Sequence, residues 1–233
     1  MMLSGEIRWF WKTRSPKGLL EWFIDEDIHG CKPGGGPPGR KDVYLVGNDL
    51  GELSIKTRGG TGSDDDGRSS SDCQDVEVKG MVAVDWGVLN FTFLTGPVEF
   101  WGKWPFHCLD IARTEKYELQ KTRWLRKFDT GGAYPVEIPL GPDEKPVDES
   151  IENAWPILGC NVEMTEIRVS KGEKWFSFCF EAFGDRKTIA DDLRAVVITI
   201  NSRGAFPDLR SGICLNYPRW ISTYVVRGKT NRQ

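Results

Sequence analysis

Histidine is scarce in this chain, and no two cysteines stand close enough in sequence to form a metal pair. Its 233 residues include two histidines, His29 and His107, and six cysteines, Cys31, Cys73, Cys108, Cys160, Cys179 and Cys214, with no CxxC spacing among them. That spacing excludes a zinc ribbon and lays out no disulfide frame, so reduced thiols in a cytoplasmic protein are expected. The histidines lie in loop-like stretches without a recurring partner, and no histidine-centred constellation is visible. No apolar run approaches a membrane span, and the opening residues do not read as a secretory signal. A basic excess is missing too. The formal net charge is -3, whereas general nucleic-acid binding draws on counterion release by surplus cations. Neither a membrane nor a nucleic acid is therefore expected as a partner.

What is present is globular in character: 39% hydrophobic and 28% charged residues, as in ordinary folded domains. The length suffices for one β domain with a real core. No repeat or composition break divides it, so residues 1–233 are read as one domain. Ten tryptophans point to a β-rich body with large aromatic anchors.

Alternation locates the strands. Residues 3–12 put Glu6, Arg8, Phe10 and Lys12 on one face and Ile7, Trp9 and Trp11 on the other, since side chains alternate across a strand. Pro16 opens a short predicted helix to residue 25, and residues 31–39 form a Pro/Gly connector without the Lys-Ser/Thr of a P-loop. Strands are expected at 40–46, 52–58, 74–85, 88–94, 97–104 and 116–128, with a turn at 47–49. Residues 59–72 are polar and rich in Gly, Ser and Asp, and are expected to be a solvated loop. Residues 131–156 read as a long connection with a helical turn at 149–152. Strands 161–170 and 174–183 form a hairpin. The period then changes: Ile189, Leu193, Val196, Val197 and Ile200 mark an amphipathic helix over 188–202, with Thr188 as its N-cap. Residues 220–226 read as a last strand.

The strands carry ordered rows of charge. Same-face residues include Glu52, Lys56 and Arg58; Glu77 and Lys79; Glu99, Trp101 and Lys103; Lys121 and Arg123; and, on the late hairpin, Glu163 and Glu181. With Glu6, Arg8 and Arg126 the tally is six acids and eight bases. Two readings are open. Glu/Lys pairs across a wet sheet face are ordinary. If instead the sheet closes with these faces inward, the lumen holds carboxylates, which bind hard divalent ions, beside cations that bind phosphate oxygens. A lipocalin-like barrel for an apolar ligand conflicts with the charged rows.

Several motifs resemble the CYTH superfamily, the triphosphate tunnel metalloenzymes. They are Glu6-Ile7-Arg8, Asp42-Val43-Tyr44-Leu45, the stretch from Glu52 to Arg58, Glu77-Val78-Lys79, Lys121-Thr122-Arg123 with Arg126, and the late acids Glu163 and Glu181. The likeness spans most of residues 3–200. That family's opening signature is Glu-x-Glu-x-Lys, where this chain has Glu6-x-Arg8-x-Phe10. The resemblance implies a mainly β (α+β) fold: a closed antiparallel tunnel of about eight strands with a few flanking helices. It implies a metal-dependent hydrolase acting on a triphosphate or related polyphosphate. Glu6, Glu77, Glu163 and Glu181 would hold Mg²⁺ or Mn²⁺. Arg8, Lys56, Arg58, Lys79, Lys103, Lys121, Arg123 and Arg126 would hold the anion, with Glu52 and Glu99 as further tunnel-lining residues. The alternative is a non-catalytic module that binds a phosphorylated or other anionic metabolite on the same fold.

Overall fold

The computed structural model describes residues 2–45, 52–58, 76–106, 116–148, 155–169, 172–204 and 206–226. The turn expected at 47–49, the loop at 59–72 and the helical turn at 149–152 lie outside them. Eight strands form a closed antiparallel barrel: β1 (Met2–Lys12), β3 (Arg40–Leu45), β4 (Leu53–Arg58), β5 (Val76–Asn90), β6 (Thr95–Phe106), β7 (Lys116–Asp129), β9 (Gly159–Val169) and β10 (Lys174–Phe183). Their order around the wall is β10-β9-β7-β3-β4-β5-β6-β1, and pairing of β1 with β10 closes the ring. Short strands β2 (Gly34–Gly35) and β8 (Val136–Ile138) add to β7, and β11 (Ile213–Cys214) adds to β1. The two segments expected on either side of Trp86 form one long strand, β5, whose pairing with β6 shifts register at two places. No helix among the described residues is long and apolar enough to cross a membrane.

Closure puts one face of every strand inside. The register places Glu6 opposite both Glu181 and Glu99, Lys79 opposite Lys103, Lys56 opposite Glu77, and Arg40 opposite Lys121. Residues paired across a ladder point to the same side, so these charges face one another inside the wall. Ile7 and Trp9, and likewise Val162, Met164, Phe178 and Phe180, point outward into the largest apolar cluster. Helices α1 (Leu19–Ile24) and α3 (Ile189–Ser202) cover it; α2 (Glu26–His29) follows α1. The five periodic apolar residues of α3 are fully buried. Thr188 sits at its N-cap but makes no side-chain capping bond. Gly5 is needed where α3 crosses β1: a Cβ there would lie 2.6 Å from Ile189, well inside van der Waals contact.

A second apolar cluster lies within the barrel at one end. Phe10, Leu119, Ile167, Val169 and Trp175 continue the inward rows beyond the charges, and Tyr217, Trp220, Ile221 and Val225 pack against them. Residues 220–226, expected as a strand, are helical: α4 (Tyr217–Trp220) runs into a π-helical turn, Ile221–Val226. Trp220 stacks on Phe10 at 4.7 Å between ring centroids. The segment fills the apolar end, so it must satisfy its own backbone hydrogen bonds, which a helix does internally.

Arg126 is a correction to the expected anion set. It lies on the outer face of β7, 1% exposed. Its guanidinium donates to the Phe23 carbonyl oxygen at 2.8 and 3.1 Å, to the Cys31 carbonyl oxygen at 3.1 Å and to Glu137 at 2.7 Å. It thus ties α1 and the following loop to the wall. Removing one partner of a buried ion pair strands the other. Arg126→Ala is therefore expected to cost roughly 3–5 kcal/mol in urea denaturation; a loss under about 1 kcal/mol, the scale of a surface pair, would show that the clamp is dispensable.

Candidate functional site

The inward rows meet in a cavity that is partly open to solvent. Glu6, Arg8, Lys56, Glu77, Lys79, Lys103, Lys121, Arg123, Glu163 and Glu181 line it, so ten of the expected site residues come together. Arg40, Tyr44, Ser54, Trp101, Thr165, Tyr217 and Pro218 complete the lining. Among the described residues, seven bases face four acids there, an excess of three. Asp42, bonded to Arg40 and Lys121, and Glu144, bonded to Arg123, bring that excess to one.

The acids are shared. Lys79 Nζ lies 3.2 Å from Glu6 and 2.9 Å from Glu181, and Lys103 reaches the same Glu181 oxygen at 2.5 Å. Glu163 accepts from Arg8 at 2.7 Å and from Arg123 at 3.2 Å. Lys56 pairs with Glu77 at 2.9 Å. Lys121 donates to the Tyr44 hydroxyl at 2.7 Å, lies 3.0 Å from Asp42 and sits 3.8 Å over the Tyr217 ring. The aromatic floor therefore carries cation–π contacts to the charged layer above it; Arg8 adds another at 4.5 Å.

Titration follows this pairing. Burial works to raise Glu163 and Glu181, but Arg8 and Arg123 hold the first, and Lys103 and Lys79 the second, well below the usual carboxylate range. Burial likewise opposes the Lys79 charge, yet Glu181, Glu6 and Glu77 raise it well above its ordinary value. Lys121 goes the other way. Burial outweighs Asp42 and brings it down to about 8, while Lys121, Arg40 and Lys56 hold Asp42 below its ordinary range despite its burial. Lys127, also on β7, is brought down to about 8 by burial, with Glu181 opposing and Arg123 and Lys103 assisting.

Other expected residues lie elsewhere. Glu52 precedes β4 with its side chain 71% exposed, and it is not a tunnel residue. Arg58 pairs by its backbone with Asp42; its side chain lies outside the described structure. Glu99 faces inward beside Glu6 but lines a small adjoining cleft, where Asn216 donates to it at 3.0 Å. Arg126 is outside the lumen. His29 is buried against the Trp22 carbonyl oxygen, away from the cavity. Arg40 and Tyr44 were legible from their parity on β3. Glu144 and Tyr217 come from aperiodic stretches and carried no such signal.

A divalent ion between carboxylates can be tested against these contacts. Among the described residues no three His, Cys, Asp or Glu side chains are grouped to hold a metal. The Lys79 ammonium bridges Glu6 and Glu181, the place a divalent ion would take, and a cation of the chain engages each of the four expected acids. As arranged, these residues do not fit a metal.

No protein family, curated protein or solved structure matches the chain.

Glu99 yields a pH test. Burial first, and Glu6 in addition, raise its carboxyl from 4.5 to about 7, against the opposing pull of Asn216 and Arg219. The folded protein thus keeps a proton that the unfolded chain releases. The stability this contributes is full below pH 4.5 and is lost as pH rises to about 7. Glu99→Gln cannot ionise. Relative to wild type it is expected to be more stable at about pH 8 than at about pH 5, by on the order of 2 kcal/mol in denaturant titrations. A difference independent of pH would contradict this.

Proposed function

We propose that the charged half of the lumen binds a compact polyphosphate-like anion and that the protein works as a binding module for a phosphorylated metabolite. The observation that carries this reading is the convergence of seven Lys and Arg side chains on one cavity, where with Asp42 and Glu144 counted six acids answer them and one positive charge remains. Buried charge is stable only when paired, and an anion relieves the surplus. Arg8 adds to it: its buried Nε has no hydrogen-bond partner among the described residues, an open demand for an acceptor. The surplus lies inside a barrel rather than on an open face, which suits a small ligand better than a nucleic acid. The thiols of Cys31, Cys160, Cys179 and Cys214 are unpaired, in keeping with a cytoplasmic protein.

The resemblance to triphosphate tunnel metalloenzymes supports the same ligand class. The two departures from Glu-x-Glu-x-Lys bear on the chemistry. Arg8 stands in place of an acid and binds Glu163. Phe10 stands in place of a lysine and builds the aromatic floor with Trp220. One adds a cation and the other removes one, and Lys79 supplies the positive charge between Glu6 and Glu181. Binding in this reading needs no metal.

Calorimetry with inorganic triphosphate tests it. Binding is expected without any divalent ion, and Arg123→Ala should weaken it by roughly 1.5–3 kcal/mol, the worth of a charged hydrogen bond. Absence of binding with or without Mg²⁺ or Mn²⁺ would overturn the polyphosphate reading. Binding that requires either ion, with phosphate released, would establish the metal-dependent hydrolase instead.

A further inference from the structure

A second cleft borders the lumen at the β3–β7 wall. This second cavity lies between residues 35–39 and residues 142–144, and it shares Arg40, Lys121 and Arg123 with the main one. Three cations thus line both. Gly35 brings the loop against β7: its φ is +81°, and a Cβ there would lie 2.4 Å from the Arg123 carbonyl oxygen and 3.1 Å from Glu144 Oε1. That close approach holds the loop, Arg123 and Glu144 together as one rim.

Arg123 is fully engaged at this rim. Its Nε donates to Glu144 at 2.8 Å, its Nη2 donates to the other Glu144 oxygen, and its Nη1 reaches Glu163 at 3.2 Å. A guanidinium offers a planar fork of donors, and here two carboxylates fill it. A polyanion can use that fork only if one of them leaves. Glu163 is fixed in β9, with Arg8 and Thr165 as further partners. Glu144 stands on the turn at 141–145, and among the described residues its carboxylate bonds only Arg123. The turn holds Glu144 at φ +64°, in the left-handed region that non-glycine residues take at a cost. Release of its side chain removes no other contact of that carboxylate.

We propose that Glu144 is an intrachain competitor for the anion site. It occupies the Arg123 fork with its own carboxylate, and an incoming phosphate group displaces it at the cleft between residues 35–39 and 142–144. Resting on the anion-binding reading, this makes Glu144 the residue that sets the affinity threshold. Only a ligand presenting two or more anionic oxygens to the fork replaces what Glu144 supplies.

Asp143 provides the control. It lines the same cleft and carries the same charge, but among the described residues its side chain only accepts from the Lys145 backbone N–H, at 3.2 Å. Titration calorimetry at fixed ionic strength, without divalent ions, compares inorganic triphosphate binding to wild type, Glu144→Gln, Glu144→Ala and Asp143→Asn. Both Glu144 variants are expected to bind about tenfold tighter than wild type, about 1.4 kcal/mol, with a faster association rate in stopped flow. Asp143→Asn should stay within about threefold, the effect of one unit of charge near the cleft under salt screening. If wild type binds and both Glu144 variants bind no tighter than Asp143→Asn, the competitor role is overturned and the anion site stands. If no variant and no wild type binds, both readings fall.

Discussion

Charge enclosed by a closed wall is the constraint on which the rest of this structure depends. A cation removed from water must meet an anion or neutralise. The lumen answers by sharing: Glu181 serves Lys79 and Lys103, Glu163 serves Arg8 and Arg123, and Asp42 serves Arg40 and Lys121. Sharing is what lets bases outnumber acids without leaving any one of them isolated. On the proposed anion-binding reading, sharing also makes the network exchangeable: an added anion would take over part of a shared contact while the other part persists.

A barrel with polar inward rows cannot use its lumen as the main hydrophobic core. The apolar rows of β1, β9 and β10 therefore point outward and need cover, which α1 and α3 supply. The cost of leaving Trp9, Phe178 and Phe180 in water, about 1.5–3 kcal/mol for each large side chain, explains why helices flank this wall. Arg126 belongs to that outer system: buried beneath α1, it meets carbonyl oxygens and Glu137 rather than a ligand.

The interior is layered along its axis. The inward rows of β1, β7 and β9 change from polar to apolar as they approach one end: Glu6 and Arg8 give way to Phe10, Arg123 and Lys121 to Leu119, and Glu163 and Thr165 to Ile167 and Val169. The aromatic helix at residues 217–226 fills that end, and Tyr217 presents its face to Arg8 and Lys121. An apolar floor excludes water beneath the cations and strengthens their electrostatics, since effective dielectric falls with burial. The second cleft lies at the charged level, where Arg40, Lys121 and Arg123 line it together with residues 35–39.

Period-two alternation determined which side chains share a face, because strand geometry is local and has a fixed repeat. That is why Glu6, Lys56, Lys79, Lys103, Lys121, Arg123, Glu163 and Glu181 were legible as a set, and why strict parity on β7 excludes Arg126. The amphipathic helix at residues 188–202 was legible for the same reason, from its own period. Other features needed the closed wall. Whether the charged faces point into an enclosed lumen or to bulk water depends on the β1–β10 pairing, a contact between chain segments more than 160 residues apart. Residues 220–226 have strand-like composition, yet they become helical because they fill a barrel end that offers their backbone no free ladder. Glu144, Asn216 and Tyr217 reach the site or its adjoining cleft from a turn and a tail without periodicity. Local geometry thus settled the faces, and only long-range closure decided what each face meets.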